Sequence, residues 1–213
     1  KRVVYTGNPV RPDVLVDTRE DGRNYFNLSD DTFTVLIAGG SRGARTINNA
    51  MIDVHKHFQG TKGIKLIHIT GDGEYKSVLS QLGITDGDGL GDSSVILPYL
   101  HDMPKALAAA DLAVFRSGAI GLAELAVRGI PSVLVPYPYA AEDHQTYNAR
   151  IFVQEGAAHM IVDQMLSAHD LIGEIEMFMA NRDLLSQMGE RALQLGKPNA
   201  AHDIAKLALS IAK

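Results

Sequence analysis

Apolar residues gather in six short runs along the chain, at 34–38, 65–69, 94–97, 112–115, 132–135 and 159–162. The runs lack strict polar alternation, the pattern of strands buried on both faces, and each is followed by a stretch with helical spacing of apolar positions. Regular alternation of strand and helix calls for right-handed crossovers and a parallel sheet. The predicted fold class is α/β, a single Rossmann-like doubly wound domain of about six parallel strands with helices on both faces. Helix boundaries are signalled by Asp102 before Met103 and Pro104, and by Asp143 before 144–154. Gly196 and Pro198 close one helix before Asn199 opens another, and the stretch from Ser167 onward reads as all helix. Residues 7–31 show little periodicity, so 1–31 read as a linker and lead-in segment and 32–213 as the domain proper.

Composition narrows the class. At 213 residues and 46% hydrophobic, the chain is long enough to bury one sizeable core. A net charge of -5 gives no basic footprint for nucleic acid, so an anionic ligand would need local donors. With no cysteine, disulfides and thiolate metal sites are excluded, which fits a reducing compartment. No apolar run reaches the roughly 18 residues of a membrane span, and the sequence has no signal-peptide pattern. The chain opens on Lys1 rather than Met, as expected of a processed product or a piece of a longer protein.

Glycines cluster just after predicted strands, in "AGGSRGAR" (38–45), "TGDGEY" (70–75) and "RSGAIG" (116–121). In open parallel sheets ligands bind beyond the carboxyl ends of the strands, so these loops should share one crevice. Backbone N–H groups at Gly40, Gly43 and Gly118, backed by helix N-termini, suit a diphosphate; the same glycines also suit tight turns. "GGSRGA" lacks the third glycine of the dinucleotide fingerprint, and no Lys-Ser/Thr follows as a P-loop requires, so neither NAD nor ATP is favoured. Glu124 is a lone acid on an apolar helix: either a helical salt bridge to Arg128 or a ligand contact. In "VPYPYAAEDHQTYNA" (135–149), Asp143, His144, Gln145 and Asn148 cluster at a helix start, as a site or as a well-capped terminus. The acidic "TDGDGLGD" (85–92) lies at the opposite sheet end and fails the calcium-loop pattern, so it reads as a solvated turn. The eight histidines show no metal spacing; His55 and His57 are placed on a helix surface and His68 in a strand with its ring satisfied.

Taken in order, "TGNPVR", "GGSRGAR", "HITGDGEY", "DM", "RSGAIGLAEL", "GIPSVLVPYP" and "AAEDHQTYNA" resemble the C-terminal half of the MurG family. These are GT-B glycosyltransferases of family 28 type that transfer N-acetylglucosamine from UDP-GlcNAc, converting lipid I to lipid II in peptidoglycan synthesis. The resemblance implies that this is the UDP-sugar-binding domain of an inverting transferase. It implies that Arg11 and Ser41 approach the diphosphate, that the backbone around Ser117, Gly118, Ala119 and Ile120 cradles phosphate and uracil, and that Gly40, Gly43 and Arg116 belong to the same UDP-sugar site. It further implies that Glu124 binds the ribose hydroxyls and that Gln145, with Asp143, His144 and Asn148, reads the sugar. No metal or other cofactor is expected. Gly121 stands where the family usually has Thr, which removes a hydroxyl from the phosphate site. The catalytic groups, the lipid-linked acceptor and the membrane surface are expected on an N-terminal domain outside this chain. The fragment alone is therefore expected to be inactive, and the whole protein cytoplasmic and peripheral on the inner face of the plasma membrane. Alternatives are the soluble subunit of a split dolichol-linked-sugar transferase, a UDP-sugar epimerase or hydrolase of GT-B fold, and a non-catalytic sugar-nucleotide-binding subunit.

Overall fold

The computed structural model describes residues 3–40, 43–85 and 90–212. Ser41 and the Asp86/Asp88 pair lie outside the described residues. The elements run α1 (Pro12–Val16), α2 (Arg19–Tyr25), β1 (Phe33–Ala38), α3 (Arg45–His57), β2 (Ile64–Ile69), α4 (Tyr75–Leu82), β3 (Ser94–Leu97), α5 (Met103–Ala109), β4 (Leu112–Phe115), α6 (Ala119–Arg128), β5 (Ser132–Leu134), α7 (His144–Gln154), β6 (Ala158–Met160), α8 (Ala168–Ala180), α9 (Arg182–Leu195) and α10 (Ala200–Ile211). Six described strands form one parallel sheet in the order β3-β2-β1-β4-β5-β6, so the predicted Rossmann-like doubly wound class holds.

Strand periodicity divides the core. Leu36 and Ala38 of β1 join Ile67, Leu122, Leu125, Leu134 and Phe152 on one face, while Val35 and Ile37 join Met51, Leu66, Val114, Val133 and Ile175 on the other. Successive side chains of a strand point to opposite faces, so both faces of β1 are apolar because helices cover both. The order reverses between β1 and β4, which creates a topological switch point there. Register sharpens it: Ala38 lies opposite both Ile69 and Phe115, so the loops after β1, β2 and β4 leave the sheet side by side.

The lead-in segment, weakly periodic in sequence, carries two short helices. Pro12, with its fixed φ, sits in the first turn of α1, and Thr18 with Asp21 closes a reciprocal capping box on α2. Gly22 lets α2 lie directly against α5, where a Cβ would overlap the Lys105 carbonyl and the Ala109 amide. Arg128 Nη1 donates to the carbonyls of Val14 (3.3 Å) and Asp17 (2.7 Å) at the end of α1, where a cation suits the negative helix end. Amphipathic patterning misses such short helices because fewer than two turns carry almost no period.

His55 is a correction: it is fully buried rather than on a helix surface. Its ring joins a closed polar chain under α3. Thr70 carbonyl oxygen can only accept, so the Asn48 amide nitrogen faces it at 2.9 Å, and Asn48 Oδ1 accepts from His68 Nε2 at 3.0 Å. His68 Nδ1 must then accept from His55 Nε2 (3.0 Å), and His55 Nδ1 from the Ser94 hydroxyl (2.9 Å). Each donor has one acceptor, and both rings are neutral.

Candidate functional site

The switch-point crevice is lined by the loop after β1, the loop after β4 and the first turns of α3 and α6. Gly40 and Gly43 both take positive φ (89° and 74°). A Cβ on Gly43 would collide with the Thr70 carbonyl oxygen, so the glycine there permits both the turn and the close contact of the first two loops. Ala44 and Gly118 stand at the N-caps of α3 and α6 and neither supplies a side-chain cap. Two helix N-termini therefore adjoin the switch point with N–H donors that no side chain among the described residues caps, a candidate anion site.

Glu124 projects from α6 and is 7% exposed. Its partner is Arg11, not the helical neighbour Arg128, which is engaged with α1. Both Arg11 Nε (3.2 Å) and Nη2 (3.1 Å) donate to the single oxygen Oε1. The fold thus joins two residues 113 positions apart and fixes the carboxylate with Oε1 committed to the guanidinium.

Ser117, Gln145 and Asn148 also come together, in a role the sequence does not reveal. Ser117 is fully buried; its hydroxyl donates to the Gln145 carbonyl (2.7 Å) and its own carbonyl accepts from Asn148 Nδ2 (3.0 Å). Gln145 Oε1 accepts from the Tyr137 amide at 3.0 Å. These contacts lock the start of α7 to the loop after β4. Arg116 turns inward and binds the Val135 and Pro136 carbonyls at 3.1 Å each, together with Asp163. Its charge is therefore committed inside the fold rather than offered to the crevice. Asp143 adopts φ 52° and accepts from Thr146, and His144 Nδ1 donates to the Ala141 carbonyl (2.8 Å). Both act within their own exposed turn. Ile120 is 65% exposed at the α6 N-terminus. Asp163 and Thr46, bonded to each other at 3.1 Å, are absent from the sequence-derived set; "VDQM" around Asp163 carries no motif that would have marked it.

A separate cavity of about 130 Å³ opens beside α6, lined by Tyr5, Asn8, Ala119, Asn148, Phe152 and Lys197 among others. It shares only Ala119 and Asn148 with the expected site residues. At Gly121, a Cβ would meet the Phe115 ring at 3.5 Å, an ordinary contact. Gly121→Ala is therefore expected to stabilise the fold by about 0.5–1 kcal/mol, because glycine inside a helix costs backbone entropy without a compensating contact. Differential scanning calorimetry should show a rise of a few degrees; a lower melting temperature would mean that the first turn of α6 needs glycine.

The fold and crevice define a Rossmann-like α/β domain with a candidate ligand site at its switch point. Residues 34–207 match the glycosyltransferase family 28 C-terminal domain, and the chain belongs to that family. It is 41% identical over 206 residues to the UDP-N-acetylglucosamine--N-acetylmuramyl-(pentapeptide) pyrophosphoryl-undecaprenol N-acetylglucosamine transferase of Desulforamulus reducens, covering 96% of this chain and 55% of that protein. Its identity to the Desulfitobacterium hafniense (strain DCB-2) protein of the same name is 42%, over 100% of this chain and 58% of that protein. Among solved structures, Acinetobacter baumannii MurG superimposes with a TM-score of 0.72 at 28% identity, over 93% of this chain and 55% of that one. The chain spans a little over half the length of the curated relatives it matches.

Proposed function

We propose that this domain binds UDP-GlcNAc as the donor half of an inverting transferase that delivers GlcNAc to a lipid-linked acceptor, converting lipid I to lipid II. The observation that carries the reading is that the family match spans the very loops that meet at the switch point, with two N-termini and the Arg11–Glu124 pair around one crevice. Diphosphate charge is met by the N–H groups of α3 and α6 and by Arg11, which is half-exposed beside Glu124 of α6. Among the described residues Glu124 Oε2 has no hydrogen-bond partner, and it is the oxygen that accepts from the ribose hydroxyls while Oε1 stays on Arg11. Gln145, at the start of α7, is assigned to read the sugar. Attack on the anomeric carbon needs an acceptor held opposite the leaving diphosphate, and positioning of two substrates requires a second wall to the cleft. That wall, with the groups that activate the acceptor, is assigned to an N-terminal domain. The whole protein is proposed to be cytoplasmic and peripheral to the membrane, in keeping with a lipid-linked acceptor. Among the described residues, no helix is long and apolar enough to cross a membrane.

Calorimetry of this chain with UDP and UDP-GlcNAc in excess EDTA should show modest binding, since the proposed counter-charges are all protein groups. Strict dependence on magnesium would overturn the metal-free reading. Donor plus a lipid I analogue should yield no lipid II with this chain alone; measurable turnover would show that the catalytic groups have been misplaced.

A further inference from the structure

Asp163 stands in the short turn after β6, 47 residues along the chain from Arg116. The two side chains are 11% and 10% exposed and form an ion pair shielded from water on most sides. Shielding matters because a charge pair removed from solvent holds its geometry more firmly than a surface pair, and losing one member leaves the other unpaired. From this pair the contacts fan outward. Arg116 Nη1 donates to Asp163 Oδ1 and to the Val135 and Pro136 carbonyls in the loop after β5. The guanidinium also lies 5.6 Å from the centre of the Tyr137 ring. The second carboxylate oxygen of Asp163 accepts from Thr46 Oγ1 at 3.1 Å, in the first turn of α3.

Two side chains thereby tie together four segments: the loop after β4, the loop after β5, the turn after β6 and the N-terminus of α3. The first and last of these carry the uncapped N–H groups of the crevice. Among the described residues no hydrogen bond joins α3 to α6 directly; the β1–β4 pairing sets the two strand ends side by side, and beyond those ends each helix fixes only its own residues. The spacing of the two sets of donors must come from outside them.

We propose that Asp163 is a positioning residue for the diphosphate, setting through Arg116 and Thr46 the distance between the N-termini of α3 and α6. The proposal rests on the donor-site reading above. Arg116, expected from the resemblance among the UDP-sugar-binding residues, is in this geometry the strut of the clamp rather than a ligand. Asp163 touches no substrate; it acts on binding only through the loops it holds.

The test is titration of the parent chain and of Asp163→Ala with UDP and with uridine, by calorimetry for the first and by NMR shifts for the second. Misplacing donors by a fraction of an ångström weakens a multidentate anion contact, so UDP should bind about fivefold more weakly to the variant. Uridine, which has no phosphate, should bind both proteins equally. Equal UDP affinity would overturn the proposal. A parallel loss of uridine would overturn it too, since Asp163 would then support the fold as a whole. Tighter UDP binding would overturn it in a third way, by showing that Asp163 restrains Arg116 from acting as a phosphate ligand. Should Asp163→Ala not fold, Thr46→Val removes one arm of the clamp from a site on the helix surface. It should lose UDP affinity that Thr46→Ser, which keeps the hydroxyl, regains; equal behaviour of the two would overturn the proposal. A parent chain that fails to bind UDP would remove the donor-site reading itself, and the clamp's role with it.

Discussion

Stability should fall by on the order of 3 kcal/mol as pH drops from 7 toward 4, most of it above the range where carboxylates protonate. The cause is the buried histidine chain. Burial pushes His55 down to about 4, and His68 well below its ordinary value, the latter through burial first and the neighbouring His55 ring second. Among the described residues neither ring hydrogen-bonds a carboxylate, and the only partners are Ser94, Asn48 and each other. A depressed histidine is neutral in the folded chain and takes up a proton in the unfolded chain below about pH 6.5. Its contribution is therefore fully present above that pH and is lost as pH falls toward the folded value. His159 works in the opposite direction. The Glu174 carboxylate 2.7 Å away raises it, so that pair supports the fold in mild acid and weakens as pH rises. Its ring is more than a third exposed, and solvent screening leaves it the smaller effect. Urea midpoints measured from pH 7 to 4.5 should fall steadily. His55→Gln should start from lower stability but show a shallower slope, having one fewer group to titrate. A flat profile for the parent chain would show that the rings gain a proton without cost.

Replacing Glu124 by alanine should weaken UDP binding ten- to a hundredfold, because each charge-assisted hydrogen bond to a ribose hydroxyl is worth roughly 1.5–3 kcal/mol. The melting temperature should stay within about 5 °C of the parent. Arg11 is half-exposed, so once unpaired its guanidinium turns to water rather than remaining as a buried charge. The structure adds a requirement that the helical salt-bridge reading would not have supplied. Arg11 holds the carboxylate through Oε1, so Arg11→Ala should also weaken UDP binding, through loss of both the diphosphate counter-charge and the fixed orientation of Glu124. A 2'-deoxy donor separates direct contact from general disturbance: its penalty should be large with the parent and small with Glu124→Ala. Equal penalties in the two proteins would sink the ribose assignment.

Much of the architecture was legible in the chain, and the exceptions follow a rule. All six strands fall where the apolar runs placed them, shifted by a residue or two at the ends. Glycines after β1, β2 and β4 pointed to one crevice, and the register of those strands brings their loops together. These features depend on signals carried within a few residues: side-chain period, β-branching, and the φ values that glycine alone takes easily. The short helices α1 and α2 escaped because they owe their order to capping and to docking on α5 and α6 more than to a repeat of their own.

What the sequence by itself determined is the six strands and the longer helices, the sheet end at which the glycine loops gather, and the family. What only the tertiary structure decided is which charge meets which. Glu124 could pair with Arg128 one helical turn away, yet it meets Arg11 from 113 residues off; Arg116 could face a phosphate, yet it turns to Asp163; His55 could lie on a helix surface, yet it is sealed beneath it. Local pattern specifies backbone conformation because steric and periodic constraints act over one turn or one pleat. Partner choice depends on strand order and register, which bring distant segments to within hydrogen-bonding range and so decide whether a polar group faces water, ligand or another side chain.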